Sequence, residues 1–399
     1  MRKTRRRTIA LAAAATLMIA GCGSDDDTSS DTVSVGTEAA AVSTEAAAIS
    51  TEAAADTTEA VTDTTEAMTD TTNAPQSTDA PDTTEGAAGT GFPDCPALEG
   101  AKIGYSQPIP DPNFALIDEV MTAQLEAVGA EYLGVNAQFD PGKQVSDIQT
   151  LQQQGIDVLI INPVDPTVTD NVLQEVIDGG TPVVVQDTPN DDGRYFTAVN
   201  ADVESAAVAG AAVLKELVGD GEVAVLIGPP FATVLIRQAE AFAAAAEEVG
   251  LNIVETQTSG NPGDPGAAQT IAEAWKQQHP NLAGIWTFND TSAVGVAATF
   301  DDSWAPALVS INGQPEAIPL VEAGRIAATY DLQTNLLARA LAYSAAAAIC
   351  EVKLPSNVYV ESVLIDKDNV ADWINPADRE IESDLELQEI DGRTFIVQV

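Results

Sequence analysis

From residue 100 onward the chain alternates short apolar runs with longer stretches of helical periodicity. The runs at 102–106, 130–135, 157–161, 181–187 and 196–199 are too short for helices and rich in β-branched residues, so they read as strands. Helices are predicted at 113–128, at 141–154 after Asp140, from Pro166 onward, and over the Ala-rich 203–218. A second series follows: strands at 222–227, 251–257, 283–288, 307–311 and 325–330. The helices between them run up to Gly250, up to Gln278, over 290–300 and 314–323, and up to a point near Cys350. The run at 157–161 is apolar on both faces and is closed by Asn162-Pro163, the mark of a strand covered by helices on both sides. Its carboxyl end, at Asn162 and Asp165, is where open α/β sheets bind ligands. Strands alternating with helices call for an α/β fold with parallel sheets. Some 300 residues exceed one comfortable core, so two lobes are expected.

The pattern is absent before residue 93. Arg2, Lys3 and Arg5 to Arg7 precede an apolar stretch over 9–20 that is too short to span a bilayer. Ile19-Ala20-Gly21-Cys22 resembles the bacterial lipobox, which implies a lipoprotein signal over 1–22 and lipidation at Cys22. The protein is then anchored to the outer face of the cell membrane by acyl chains rather than by a helix. Residues 23–92 contain no Lys or Arg and few large apolar residues, too little to offset chain entropy. Threonines recur every seven residues from Thr37 to Thr72. Val42, Ile49, Val61 and Met68 provide at most one sizeable aliphatic per heptad, so no coiled-coil seam forms. A disordered acidic stalk spanning roughly 45 Å is the reading.

Of a net charge of −44, +5 falls on residues 1–22 and −15 on 23–92, leaving −34 on 93–399. That acidity argues against nucleic acid and anionic membrane surfaces as partners. With Cys22 assigned to lipid, Cys95 and Cys350 remain as a pair in an exported domain, where a disulfide is favoured; two separate buried thiols are the alternative. His279 is the sole histidine. A zinc site or a Ser-His-Asp centre therefore lacks its usual equipment, and no metal, cofactor or catalytic residue is expected.

Residues 100 to about 366 resemble the type 1 periplasmic binding proteins, in the ribose-binding group. The resemblance is carried by Asp111-Pro-Asn-Phe114, Ile160-Ile-Asn-Pro163 with Asp165, Pro182-Val-Val-Val-Gln-Asp187 and Asn200 with Asp202. It continues in Ala241-Phe242, Phe288-Asn-Asp290, Ile311-Asn-Gly313 and Gly324-Arg-Ile-Ala-Ala-Thr329. It implies two Rossmann-like lobes joined by a three-crossing hinge, with crossings near 199–203, 330–334 and 364–368. The first lobe is expected to take 93–200 and 333–364, and the second 201–332 and 365–380.

The resemblance also implies a set of ligand contacts. Phe114, on the helix opened by Asp111, matches the first of two aromatics that stack on a sugar ring; the second falls on Ala115. Asn162 and Asn289 match strand-end asparagines, Asp187 matches a carboxylate that accepts from sugar hydroxyls, and Asn312 stands where the family has an aspartate. Two family arginines are replaced, by Thr188 and Gln238, with Arg237 one position away. A second-lobe aromatic falls on Gly263. The hinge-side glutamine has no clean match, leaving Tyr330, Asp331 or Gln333. Trp275 and Trp286 read as packing residues. Ligand is expected to bridge Phe114 and Asp187 on one lobe and Asn289 and Gln238 on the other.

Residues 375–399 extend past the family's usual end. Apolar and polar residues alternate on both sides of Asp391-Gly392, which predicts a hairpin within a 381–399 extension. Three function classes follow. One is the monomeric binding component of an ABC importer, handing a small polar ligand, foremost a sugar, to the permease transmembrane subunits. Another is a receptor presenting that ligand to a membrane kinase, with nucleosides, cyclitols and furanosyl signals as alternative ligands. An enzyme on the same frame is disfavoured.

Overall fold

The computed structural model describes residues 93, 95–380 and 384–399. The signal over 1–22, Cys22 and the stalk over 23–92 lie outside these residues. The chain opens with β1 (Lys102–Gln107), α1 (Pro112–Ala127), β2 (Glu131–Asn136), α2 (Pro141–Gln153), β3 (Val158–Ile161), α3 (Pro166–Asp178), β4 (Val183–Gln186) and β5 (Thr197–Ala201). It continues with α4 (Val203–Val218), β6 (Glu222–Ile227), α5 (Thr233–Val249), β7 (Asn252–Thr258), α6 (Pro265–Gln278), β8 (Gly284–Thr287), α7 (Asp290–Ala297), β9 (Ala307–Val309), α8 (Ile318–Glu322) and β10 (Ala328–Asp331). Then come α9 (Thr334–Ile349), β11 (Asn357–Val360), β12 (Val363–Asp366), β13 (Leu385–Ile390) and β14 (Arg393–Gln398).

One local device starts α1, α2, α3 and α6. Asp111, Asp140, Asp165 and Asp264 each cap their helix by accepting from an amide of its first turn, and each is followed by proline. The carboxylate satisfies an orphan N–H, and the fixed φ of proline suits the first helical position. Each Asp-Pro pair therefore places a strand's carboxyl end beside a helix N-terminus.

Two sheets result, in strand orders β2-β1-β3-β4-β5-β11-β14-β13 and β7-β6-β8-β9-β10-β12. Pairing is parallel except where β12 joins β10 and where β13 joins β14. β3, β4 and β8 are buried along their whole length, as helices on both faces require. Trp275 and Trp286 are fully buried in the second lobe, where Trp286 stacks on Phe242 at 4.2 Å between centroids. On the first lobe α9 packs against α1, and Cys95 and Cys350 form a disulfide with Cα atoms 5.8 Å apart.

The chain changes sheets between β5 and α4, between β10 and α9, and between β11 and β12. The third change falls at Glu361-Ser362, earlier than the expected 364–368, so residues 363 and 364 belong to the second sheet. β11 and β12 have four residues each, and the switch between them leaves no turn dipeptide to mark it in the sequence. There is also a fourth passage. After β12 in the second sheet the chain re-enters the first through β14, which pairs with β11 at Tyr359 and Phe395. The three hinge crossings are thus joined by a further passage made by the C-terminal extension. The hairpin turns at Asp391 (φ 50°) and Gly392 (φ 79°), both left-handed as a two-residue type I′ turn requires.

Candidate functional site

The carboxyl ends of both sheets border a cavity of about 150 Å³. From the first lobe, β4 ends in Asp187, whose left-handed backbone (φ 55°) turns the carboxylate inward. Its Oδ1 accepts from the Ala201 amide at 2.8 Å; its Oδ2 accepts from Gln186 Nε2 at 3.0 Å and from Asn162 Nδ2 at 3.2 Å. A carboxylate has about four acceptor positions, so these three donors leave roughly one for a ligand. Burial pushes this carboxyl up to about 6, against the pull of those hydrogen bonds and of Arg237.

Asn162 ends β3 in a loop gripped by Gln144 of α2. Gln144 is fully buried; its Nε2 donates to the Asn162 carbonyl at 2.9 Å and its Oε1 accepts from the Val164 amide at 2.8 Å. Asp111 caps α1 by accepting from the Phe114 amide at 2.9 Å, and burial raises its carboxyl to about 6. Both Asp111 and Phe114 line the cavity.

From the second lobe, Asn289 caps α7, accepts from the Ser292 amide at 2.9 Å and donates to the Pro262 carbonyl at 2.7 Å. Gln238 of α5 donates from Nε2 to the Phe288 carbonyl at 3.0 Å. Its Oε1 is buried in the cavity wall with no hydrogen-bond partner among the described residues. A buried acceptor left unsatisfied costs about 1–3 kcal/mol, and Gln238 Oε1 is one that its surroundings in the wall do not satisfy. Asn312 also lines the cavity, at φ 128°. Beside it, Gly313 (φ 65°) lies so near β10 that a Cβ there would meet Asp331 Cα at 2.5 Å.

Three predicted contacts lie outside this lining. Arg237 points from the adjacent position of α5 to an ion pair with Glu204 of α4. Asp331 is consumed at the hinge: it pairs with Arg379 and accepts from Trp373 Nε1 at 3.0 Å and from the Gln333 amide at 2.7 Å. Gln333 points away, donating to the Glu361 carbonyl at 2.8 Å.

One lining aromatic was not singled out from the sequence, Phe139; Phe288, of the quoted Phe288-Asn-Asp290, lines the cavity too. Phe139 sits in the loop after β2 with φ 61° and meets Phe231 of the second lobe at 5.3 Å between centroids, closing the cleft mouth. A lone phenylalanine beside an Asp-Pro cap carries no periodicity, so only the left-handed loop that follows β2 reveals its direction. Among the described residues no Lys, Arg or His lines the cavity. It therefore presents carboxylates, amides and aromatic faces to a compact, uncharged, donor-rich molecule. An engineered cavity of this volume in another protein holds a six-membered ring.

Two parallel α/β lobes facing each other at their strand ends across a cavity of mainly apolar wall, set with a few carboxylates and amides, define a hinged small-molecule binding protein. The model of the periplasmic binding protein domain matches residues 103–352, and the chain belongs to that family. A ribose import binding protein of Bacillus subtilis is 29% identical over 231 residues, covering 57% of this chain and 75% of the relative. A D-ribose/D-allose-binding protein of Pseudomonas aeruginosa is 25% identical over 209 residues, covering 50% and 65%. Among solved structures, a solute binding protein of Mycobacterium smegmatis with bound glycerol is 27% identical at a TM-score of 0.62, covering 68% of this chain and 96% of that one. The periplasmic component of the arabinose transporter of Shewanella sp. ANA-3, bound to arabinofuranose, is 22% identical at a TM-score of 0.62, covering 68% and 94%. Family membership makes this an exported, extracytoplasmic protein. Among the described residues no helix is long and apolar enough to cross a membrane.

Proposed function

We propose that this protein captures a monosaccharide in the interlobe cavity and delivers it to an ABC importer. One observation carries the reading: polar side chains from opposite lobes, Asp187 and Asn162 on one and Asn289 and Gln238 on the other, line one cavity, and no Lys, Arg or His is among the described residues that line it. A polyol supplies hydroxyl donors to both lobes at once, which couples its binding to lobe closure. The asparagines at 162, 289 and 312 fix its orientation, and Phe114 covers an apolar ring face. The relatives named for ribose, allose and arabinose support a sugar, and the family supports transport rather than catalysis. The protein acts as a monomer held to the outer face of the cell membrane by lipid at Cys22, with 23–92 as the spacer.

Thermal unfolding against pentoses, hexoses, inositols and nucleosides tests the reading. A specific sugar at about a hundred times its dissociation constant adds roughly 2.7 kcal/mol to stability, a rise of a few degrees at this size. No shift with any sugar, beside a shift with a nucleoside, would replace the carbohydrate in this reading.

A further inference from the structure

The carboxylates at the first two hinge crossings are held by arginines of the C-terminal segment. Asp202, between β5 and α4, is 3% exposed and pairs with Arg393 of β14: Nη1 to Oδ2 is 3.1 Å and Nη2 to Oδ1 is 3.0 Å. The guanidinium lies 3.7 Å from the Tyr359 ring centroid, sandwiched on β11. Asp331, at the end of β10, is 2% exposed and pairs with Arg379. Arg379 follows a turn fastened to the first lobe, where Asn335 Nδ2 of α9 donates to the Pro376 carbonyl at 3.3 Å. Arg393 therefore joins a first-lobe strand to the carboxylate where the second lobe begins, while Arg379 lies between the lobes, its turn fastened to α9 and its guanidinium 6.0 Å from the ring centroid of Trp373, which packs on the second-lobe core. The third crossing is tied in as well, since Ser362 Oγ donates to the Asp202 carbonyl at 2.8 Å and Gln333 Nε2 to the Glu361 carbonyl at 2.8 Å.

We infer that Arg379 and Arg393 are positioning residues that hold the two lobes in the closed alignment and so set ligand affinity from outside the cavity. A buried carboxylate whose cation is withdrawn carries an uncompensated charge. Rotation of the second lobe that pulls Asp202 or Asp331 from its arginine therefore meets resistance that the ligand does not supply. Affinity depends on the fraction of molecules already competent to bind, so a hinge biased towards closure tightens binding without touching the sugar. This rests on the sugar-binding reading for its affinity arm only.

The test uses the full chain in a C22S background, with spin labels at V168C and L217C, exposed positions on α3 and α4. Interlobe distances are measured without ligand, and monosaccharide affinity separately. R393Q and R379Q are expected to broaden the distance distribution towards longer values and to weaken sugar binding about tenfold. R393K, which keeps charge but loses the two-pronged contact, is expected to recover part of both. A lowered unfolding temperature with unchanged distances would overturn the inference and leave the arginines merely structural. Should R393Q or R379Q fail to fold, R393K and the remaining single substitution give the same reading. Altered distances with no sugar bound by any form would retain the hinge role while refuting the sugar.

Discussion

Asp187 shows how one residue opposes stability to binding. Burial raises its carboxyl to about 6, so the folded protein keeps a proton that the unfolded chain releases above about 4. The folded state then binds more protons in that window, and this carboxyl's contribution to stability is full below about 4 and is lost as pH rises through about 6. Asp187→Asn removes the titrating charge. Unliganded, the variant is expected to match the native protein at pH 4 and exceed it by on the order of 2–3 kcal/mol at pH 7.5, measured by denaturant unfolding at both pH values. Its sugar affinity is expected to fall at least tenfold, because a hydroxyl bonds more strongly to a carboxylate than to an amide. Native affinity should itself rise as pH passes upward through 6. At this scale much of the site was legible: Asp187, Asn162 and Asn289 each follow a strand whose pattern fixes its end. Asp331 and Gln333 were not, because the sequence places them beside the hinge without showing that Arg379, far along the chain, takes the carboxylate.

At the scale of elements, the Asp-Pro starts explain why α1, α2 and α3 begin close to where the sequence places them. β11 and β12 escaped detection because each is four residues long and they pair with different sheets. Their identity is set by neighbours rather than by their own pattern. The loops are less legible still, and the Phe139–Phe231 contact belongs to them. It joins the lobes only when the cleft is shut, so it should slow ligand escape more than it speeds entry. An aromatic pair contributes about 0.5–1.5 kcal/mol. Phe231→Ala is therefore expected to raise the dissociation rate roughly 2- to 12-fold with little change in association, read by stopped-flow fluorescence.

At the scale of the whole molecule, two parallel-sheet lobes followed from strand–helix alternation and length. The return of the chain to the first sheet did not. A hairpin is visible locally at Asp391-Gly392, but which sheet receives it depends on one bridge to Tyr359 and on Arg339 Nη1 donating to Gln398 Oε1 at 3.2 Å. The disulfide closes a separation of 255 residues and ties the start of the domain to α9. Cys350→Ser is expected to cost about 2–5 kcal/mol of stability by denaturant unfolding while leaving sugar affinity within twofold, since both sulfurs lie on the first lobe, away from the cavity.

That crosslink also decides where mechanical load enters. A pull on the segment before residue 93 reaches Cys95 and passes through sulfur into α9. It is borne by the half of the molecule that also holds the hairpin. The other half hangs from the crossings outside that path, so a force applied ahead of Cys95 is not directed across the cleft.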